Sequence, residues 1–374
     1  MAPLNDTQQQ LLAILGIVSA TISLMGSSIL IRKALMAQRR QNVTYHRLLI
    51  GLSVMDIFHD IAWGLQPFLI PASDDRVWSY GSTGTCSAVG FFVQLGSSVV
   101  LYNGALAMYF LVTIVFGVSD KKVVQYEPWL HVVPLGYALI TATVGVSIGL
   151  YSSLLLGSFC WIGEYPKGCE DDEETECIST IIGWIFGGVP VIGTSMFLVV
   201  ANTVIYSKVR RTTRQTTRFA TRGHRADKQV AVQSILYVVA CVSTLIWAMM
   251  VRTLESMGFH RESESDFLVL LFLAQLFYPL QGFWNCLIYV RPRYLRWRRR
   301  APEQSRWWCF KKAIQLEAVM KGSKMSGTSL PSSAESQCDD GGENKKTVTP
   351  GDGGNENRSS HVEGASSILA ISRP

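Results

Sequence analysis

Apolar residues form seven long runs along this chain, and a short polar or charged stretch separates each run from the next. About 20 apolar residues, at a rise of about 1.5 Å per residue, cross the hydrocarbon core of a bilayer as a helix. Each run is long enough to do so, and the pattern therefore predicts seven transmembrane helices. The predicted limits are 11–31, 48–70, 86–116, 129–156, 178–206, 230–251 and 267–290.

The charges between these runs predict the orientation of the chain. Basic residues follow the first, fifth and seventh runs, whereas the loop at 160–177 is acidic. Because positively charged loops stay on the cytoplasmic side, we expect the N-terminus outside the plasma membrane and the C-terminus inside. The loop at 117–128 has no clear charge bias and adds nothing to this expectation.

Composition supports the same class of protein. Of the 374 residues, 48% are hydrophobic and only 17% are charged, which favours a multi-pass membrane protein over a soluble domain. No cleavable signal peptide is evident, so the first run is interpreted as a retained helix. The predicted fold class is an all-α membrane protein, a seven-transmembrane helix bundle with a short amphipathic juxtamembrane helix and a disordered C-terminal tail.

The chain divides into four predicted regions. These are a short extracellular N-terminus at 1–10, a seven-transmembrane domain at 11–290, a cytoplasmic basic and amphipathic segment at 291–320, and a disordered cytoplasmic tail at 321–374. The N-terminus is too short for an extracellular binding domain, so we expect a ligand to enter the bundle itself. Asn5 begins the glycosylation acceptor sequence Asn5-Asp6-Thr7, a pattern that is also common by chance.

The basic segment after the last run has an amphipathic character. Pro292 is well placed to start a short helix. Aromatic residues then alternate with arginine and lysine, which is typical of a helix on an anionic inner-leaflet surface. Cys309 in this segment is a candidate palmitoylation site, and an unmodified thiol is the alternative. The tail that follows is rich in Ser, Gly, Asp, Glu and Asn, and this composition predicts disorder.

The last apolar run carries three polar or small residues near its end, Gln281, Gly282 and Asn285. Because bare polar groups are costly in hydrocarbon, they are expected to face other helices. The motif Gln281-Gly282-Phe283-Trp284-Asn285, followed by Tyr289, resembles the final-helix signature of slime-mould cyclic-AMP-type receptors and of secretin/adhesion-type receptors. This resemblance implies a G-protein-coupled receptor that binds an extracellular ligand and activates a heterotrimeric G-protein. It does not identify the ligand.

Hallmarks of the rhodopsin-like receptor class are missing. Thr113-Ile-Val-Phe-Gly117 stands where an Asp-Arg-Tyr sequence would follow the third helix, and the sixth run has no Cys-Trp-x-Pro. The stretch 285–289 has no proline. These absences favour the cyclic-AMP-receptor-like or secretin-like group.

Polar residues inside the other runs are candidate functional positions. Leu52-Ser53-Val54-Met55-Asp56 resembles a second-helix motif of many receptors, in which the acid anchors a water, an ion or a polar network. A purely structural, hydrogen-bonded acid is the alternative. The predicted polar network of the bundle is Asp56, Asn103, Gln281, Gly282 and Asn285. The predicted ligand pocket comprises His59, Asp60, Trp63, Gln94, Trp184, Trp247 and Gln275. The alternative is that these side chains serve only in packing.

Four of the eight cysteines are predicted to lie outside, and they allow three pairings. These are Cys86, Cys160, Cys169 and Cys177. A bridge from Cys86 to Cys160 resembles the one common to most seven-helix receptors, and it leaves Cys169 and Cys177 to close a small acidic ring. That ring is either a solvated loop or a vestibule that attracts cations and binds Ca2+ loosely.

Arginines recur every four residues in the loop after the fifth run. Arg210, Arg214, Arg218 and Arg222 would form one stripe on a helix. Such a stripe suits anionic lipid or an acidic protein surface, and together with Arg291 it is the predicted G-protein interface. The alternative is that the arginines only fix the topology.

Other classes of function are less well supported. A retinal protein needs a Schiff-base lysine in the seventh run, and 267–290 contains none. A hydrolase would need a nucleophile beside His59, and no serine is an obvious partner. A secondary transporter, or another polytopic membrane protein, remains the alternative, although no internal repeat is visible. We predict no enzyme activity, no cofactor, no metal site and no nucleic-acid partner.

Overall fold

A computed structural model of the chain shows a bundle of helices. The structure describes residues 4–40, 43–154, 159–163, 165, 169, 178–215, 222–256 and 264–315. Within this part of the chain, seven helices are long and apolar enough to cross a membrane, in agreement with the predicted number. They are Asp6–Arg39, Thr44–Leu69, Thr83–Val115, Glu127–Ser147, Ser179–Thr212, Val232–Leu254 and Phe267–Arg300.

Several of these spans consist of more than one regular segment. The α-helices of the described residues are α1 (Asp6–Arg40), α2 (Thr44–Leu69), α3 (Thr83–Leu95), α4 (Ser97–Phe110), α5 (Asp120–Val123), α6 (Glu127–Ser147), α7 (Ser179–Gly183), α8 (Val189–Gln215), α9 (Arg222–Ser256), α10 (Glu264–Phe277), α11 (Gln281–Arg300) and α12 (Arg306–Ile314). A π-helical segment at Leu111–Val115 continues α4, and another at Trp184–Gly188 joins α7 to α8. A 3-10 turn at Tyr278–Leu280 separates α10 from α11.

The outward faces of the helices are apolar. Met25, Ile140 and Val200 are among many large hydrophobic side chains with more than half of their surface exposed, at 61%, 66% and 61%. A helix in water would carry polar residues on that face. An apolar exterior around a bundle with buried polar residues is what a lipid environment favours.

Glycines allow α1 and α11 to lie close together. A Cβ atom added to Gly26 would lie 2.7 Å from the Cα of Phe283, and one added to Gly282 would lie 2.0 Å from the Ser27 hydroxyl. Larger residues at these two positions would force the helices apart, because real Cβ atoms do not approach other atoms so closely. Small residues at such crossings are typical of helix packing in membranes.

A short hairpin marks one end of the bundle. Strands β1 (Tyr151–Ser153) and β2 (Cys160–Ile162) pair antiparallel, with Ser152 opposite Trp161. We call this the hairpin end, and the opposite end, which carries α12, the α12 end. The fourth helix was expected to continue to residue 156, but α6 ends at Ser147 and the chain turns at Gly149, where φ is +70°. Leu150, Tyr151 and Leu154 are buried beyond the end of the helix, which explains why the apolar run continues past it.

The end of the last span also differs from the prediction. Pro292 lies inside α11, which continues to Arg300, and it does not start a new helix. The amphipathic helix begins later, where the Ser305 hydroxyl accepts a hydrogen bond from the Trp308 amide at 3.1 Å. The predicted basic segment at 291–320 therefore begins within α11 and includes α12, and the predicted tail at 321–374 lies outside the described residues.

Helix α12 is attached to the first span. The ammonium group of Lys33 in α1 donates to the carbonyl oxygens of Ala313 and Gln315, at 3.2 and 3.0 Å. The last carbonyl groups of a helix have no partner within it, and a lysine there satisfies them and complements the helix dipole. Cys309 and Ala313 are fully buried on the inward face of α12, whereas 62% of Trp307 is exposed.

Candidate functional site

A chain of hydrogen-bonded side chains lies in the interior of the bundle. Gln281 and Asn285 are four residues apart on α11 and so share a face. The Gln281 amide donates to the Asn285 carbonyl oxygen at 3.2 Å, and the Asn285 amide donates to a carboxylate oxygen of Asp56 in α2 at 3.4 Å. The hydroxyl of Thr244 in α9 donates to Gln281 Oε1 at 2.7 Å. These contacts join three spans through buried polar groups.

The break before α11 brings α1 into the same network. The 3-10 turn contains Pro279, so α11 starts afresh at Gln281 and its first N–H groups have no partner within the helix. The Gly282 N–H donates instead to the hydroxyl of Ser23 in α1 at 3.0 Å. The turn at Pro279 therefore leaves a backbone amide at the start of α11 without a partner in its own helix. Ser23 on α1 accepts the hydrogen bond from that amide.

Two acidic residues of α2 lie one turn apart within this region. Asp56 and Asp60 are 2% and 3% exposed. A ring nitrogen of His59 lies 3.9 Å from one oxygen of Asp60, and the other oxygen of Asp60 has no hydrogen-bond partner among the described residues. The Nε2 atom of His59 also lacks a partner there. Buried polar atoms without partners are costly, so they indicate a place where water, a proton or a cation would be stabilised.

A narrow cavity adjoins the polar chain. It has room for about one or two water molecules. Its lining comprises Asp56, His59, Gly96, Val99, Val100, Asn103, Cys241, Thr244, Leu245, Tyr278 and Gln281. Asn103 donates to the Val99 carbonyl oxygen of its own helix at 2.9 Å, and its side-chain oxygen has no partner among the described residues. The structure thus brings the predicted network residues Asp56, Asn103, Gln281, Gly282 and Asn285 into one region.

Some of the predicted pocket residues form a cluster towards the hairpin end. The indole N–H of Trp63 donates to Gln275 Oε1 at 3.0 Å. The ring of Tyr278 lies 4.8 Å from that of Trp63 and 5.2 Å from that of His59, measured between centroids. Asp60 joins this cluster through His59.

The remaining pocket residues lie elsewhere. Gln94 bonds to the hairpin residue Trp161. Trp247 stacks on Phe277 with centroids 5.9 Å apart, and Trp184 lies over Gly188 in the π-helical segment. The predicted pocket is therefore divided between at least two groups of side chains.

A disulfide holds the hairpin on the bundle. Cys86 in α3 is bonded to Cys160 in β2, as predicted, and the Cα atoms lie 5.4 Å apart. The Cys160 amide donates to Gln66 Oε1 of α2 at 2.9 Å. Burial raises the pKa of Tyr151 in β1, so its phenol stays neutral. Cys169 is also disulfide-bonded, and its predicted partner Cys177 lies outside the described residues.

A second polar cluster, which the sequence did not indicate, lies at the α12 end. The guanidinium of Arg47 in α2 forms an ion pair with Glu127 at the start of α6. Beside it, the carboxylate of Asp120 accepts the Thr44 amide at 3.3 Å and the Tyr109 hydroxyl at 3.1 Å. In the sequence, Arg47 is one of the basic residues that predict the orientation of the chain. Asp120 and Glu127 belong to the loop at 117–128, which has no clear charge bias. Their pairing depends on the packing of α2 against α4 and α6.

Near this cluster, α2 also contacts α9. The hydroxyl groups of Tyr45 and Tyr237 lie 3.2 Å apart, and the Gln233 amide donates to Tyr45 at 2.9 Å. His46 is fully buried, and neither of its ring nitrogens has a hydrogen-bond partner among the described residues. The hydrogen bonds of Tyr45 to Tyr237 and Gln233 therefore depend on the position of α9 relative to α2.

The other predicted sites lie at the ends of helices. Asn5 is exposed and caps α1, since its side-chain oxygen accepts the Gln8 amide at 2.8 Å. Arg210 is exposed on α8, whereas Arg291 is half-buried on α11. The side chains of Arg214, Arg218 and Arg222 lie outside the described part of the structure, although positions 214 and 222 belong to α8 and α9.

No protein-family model matches the chain, and no curated protein is significantly similar to it. The described part of the chain defines the class, a helical protein with seven candidate membrane spans and a disulfide-anchored hairpin. An activity must therefore be inferred from the arrangement of residues in the bundle.

Proposed function

We propose that this chain is a plasma-membrane G-protein-coupled receptor of the cyclic-AMP-receptor-like or secretin/adhesion-like group, with its hairpin end outside and its α12 end in the cytoplasm. One observation carries the proposal. The buried polar chain through Thr244, Gln281, Asn285 and Asp56 connects α9, α11 and α2 between two ends that have different chemistry. Such a connection allows a change at one end to alter helix packing at the other.

The proposed route begins near the aromatic cluster at the hairpin end. Tyr278 contacts His59 and Trp63, and it lies three residues before Gln281 at the break between α10 and α11. A ligand that displaced Tyr278 would therefore move the residue that holds Thr244. Loss of the bond between Thr244 and Gln281 would free α9 to shift against α11 and α2.

At the α12 end, the same shift would separate Tyr45 from Tyr237. An opening between α2 and α9 is the kind of cavity that a G-protein helix would enter. Arg210 and position 214 both belong to α8, which continues to Gln215 and so extends beyond the predicted limit of 206. Basic residues on this extension would attract an acidic surface of the G-protein, and the basic and aromatic residues of α12 would bind anionic lipid.

The test is G-protein dissociation measured in cells that express the chain, with and without a library of extracellular compounds. The informative variant changes Arg210, Arg214, Arg218 and Arg222 to Gln. Its matched control changes Arg298, Arg299, Arg300 and Arg306 to Gln, which removes the same charge elsewhere on the α12 end. We expect the first variant to lose at least about tenfold in coupling at equal surface level, and the control to lose much less.

Two outcomes would contradict the proposal. One is a correctly inserted quadruple variant that couples as well as the parent, which would leave the arginines with a role in topology alone. The other is the absence of any G-protein response, basal or stimulated, from a protein that reaches the surface.

A secondary transporter is the second candidate, and the buried acids of α2 favour it. Asp60 has an unpartnered carboxylate oxygen close to Asp56 and to the cavity, an arrangement that would also suit a coupling proton or cation. Reconstitution in liposomes with a pH-sensitive dye distinguishes the two functions. Proton movement that is lost in Asp60→Asn would establish transport and overturn the receptor proposal.

A further inference from the structure

The loop between the third and fourth spans turns its acidic residues towards the bundle. Asp120 and Glu127 are the only acids in residues 116–131. The carboxylate of Asp120 accepts hydrogen bonds from groups on α2 and α4, and that of Glu127 forms its ion pair with Arg47. Both negative charges of the loop are therefore engaged with the bundle and do not face its surroundings.

The outer side of the same loop is basic and aromatic. Lys121 and Lys122 are exposed, and neither has an acidic partner among the described residues. Phe116, Tyr126 and Trp129 are 69%, 66% and 66% exposed. We call these five residues the lysine–aromatic surface. The sequence of the loop has no charge bias, whereas the structure exposes its lysines and engages its acids elsewhere.

This surface lies at the ends of two membrane spans. The third span ends at Val115, directly before Phe116, and Trp129 lies in the first turn of the fourth span. Successive backbone turns, with the amides of residues 125–127 as donors, connect α5 to α6 and keep the lysines close to the rings. Aromatic rings at such positions lie among lipid headgroups, and basic residues beside them attract anionic lipid.

An apolar stripe on α6 continues from this surface into the membrane. Trp129, Val133, Gly136 and Ile140 recur at helical spacing and share one face. Val133 and Ile140 are 57% and 66% exposed, and nothing lies within 4 Å of a Cβ added to Gly136, which leaves a notch in that face. The stripe has a length of about 16 Å, close to half of a bilayer core of about 30 Å.

We propose that the lysine–aromatic surface and the α6 stripe together form a binding site for an anionic phospholipid. The headgroup lies on Lys121 and Lys122, and one acyl chain follows the stripe past Gly136. Exposed rings alone would contact any lipid, and the selectivity for negative charge arises because the two acids of the loop are engaged with the bundle. A soluble protein would reach the lysines but would not cover a stripe that lies within the span.

For the leaflet that supplies the lipid, this inference rests on the proposed function, which places the α12 end in the cytoplasm. The inner leaflet is the one that carries anionic lipid. Binding of the lipid requires neither an extracellular ligand nor a G-protein. The site can therefore fail while the receptor proposal stands, and the reverse also holds.

The experiment uses the purified full chain in phosphatidylcholine nanodiscs that contain a small fraction of a photoactivatable lipid. The probes are phosphatidylserine and phosphatidylcholine, each with a diazirine in one acyl chain, and mass spectrometry locates the adducts after illumination. We expect adducts within residues 116–140 of the parent, at least about fivefold more from the serine lipid than from the choline lipid. Excess inorganic phosphate should not displace the serine lipid, because phosphate lacks the acyl chain.

The headgroup contact is tested with Lys121→Gln combined with Lys122→Gln. Both side chains are exposed, so the variant should fold normally, and its preference for the serine lipid at 116–140 should disappear. Arg299→Gln combined with Arg300→Gln is the matched control, since it removes two exposed positive charges from the end of α11. That control should keep the preference at 116–140.

The acyl-chain contact is tested with Gly136→Phe, which fills the notch in the stripe. Adducts at 133–140 should fall several-fold. Gly193→Phe on α8 is the control, because an added Cβ at Gly193 also meets nothing within 4 Å, and it should leave these adducts unchanged.

Four outcomes would overturn the proposal. They are equal labelling of 116–140 by the two lipids in the parent, displacement of the serine lipid by inorganic phosphate, equal loss of the preference in the lysine variant and its arginine control, and labelling that Gly136→Phe does not change. A lysine variant that keeps its lipid adducts but loses its G-protein response would assign Lys121 and Lys122 to a protein partner instead.

Discussion

The backbone N–H of Gly282 on α11 donates to the hydroxyl of Ser23 on α1 at 3.0 Å, across an interface that Gly26 and Gly282 keep narrow. We predict that Gly26→Ala destabilises the protein by about 1–3 kcal/mol, because the new methyl group meets backbone atoms that cannot rotate away. Gly136→Ala on α6 is the control, since nothing lies within 4 Å of its added Cβ. Thermal unfolding should show a lower midpoint for Gly26→Ala and an equal or higher midpoint for the control.

The disulfide between Cys86 and Cys160 gives a second prediction. Replacement of either cysteine by Ser should remove most of the protein from the cell surface, because loss of a native disulfide typically costs about 2–5 kcal/mol. The double replacement should be no worse than either single one, since both remove the same bond. Surface labelling measures the effect, and a double variant much worse than the singles would show separate roles for the two residues.

Asp56→Asn should keep the fold but change signalling. Asparagine retains an oxygen that can accept the Asn285 amide, whereas it removes the ionisable carboxyl group next to the cavity. We expect surface expression within about twofold of the parent and a clear change in basal or stimulated G-protein activity. Asp6→Asn, at the exposed start of α1, is the control for the same change at a position away from the cavity. Unchanged signalling in Asp56→Asn at matched surface level would assign Asp56 a structural role.

The ion pair between Arg47 and Glu127 can be tested with a double-mutant cycle. Each single change to Gln should destabilise the protein by about 1–3 kcal/mol, because it leaves the partner charge partly buried and unpaired. The double change should cost less than the sum of the two, since the pair is lost only once. Lys121→Gln, an exposed basic residue on the same end, should have little effect. Additive effects in the cycle would mean that Arg47 acts independently of Glu127.

The number of spans was predictable from the sequence because the length of an apolar run is enough to identify a helix that can cross a bilayer. The network residues of α11 were also predictable, since Gln281 and Asn285 are conspicuous in an apolar run. Their partner Thr244 was not. Serine and threonine hydroxyls can donate to a carbonyl oxygen of their own helix, as Thr244 also does to Ala240 at 3.1 Å. The presence of a threonine in a span therefore does not predict a hydrogen bond to another helix.

Contacts between distant parts of the chain explain the other omissions. Trp161 follows Cys160 in a segment that the sequence predicts as a loop, and nothing in the local sequence indicates that its indole reaches Gln94 on α3. The pairing of Arg47 with Glu127 likewise joins charges 80 positions apart. In both cases the residue type was visible, whereas its partner depended on which helices are neighbours.

The position of Cys309 has a consequence for the order of events in the cell. Its thiol is fully buried while Lys33 holds the last carbonyl groups of α12. An acyltransferase would need α12 to move away from the bundle before it could reach this thiol. Acylation of Cys309 would therefore compete with docking of α12, and the share of acylated protein would report how long α12 stays undocked.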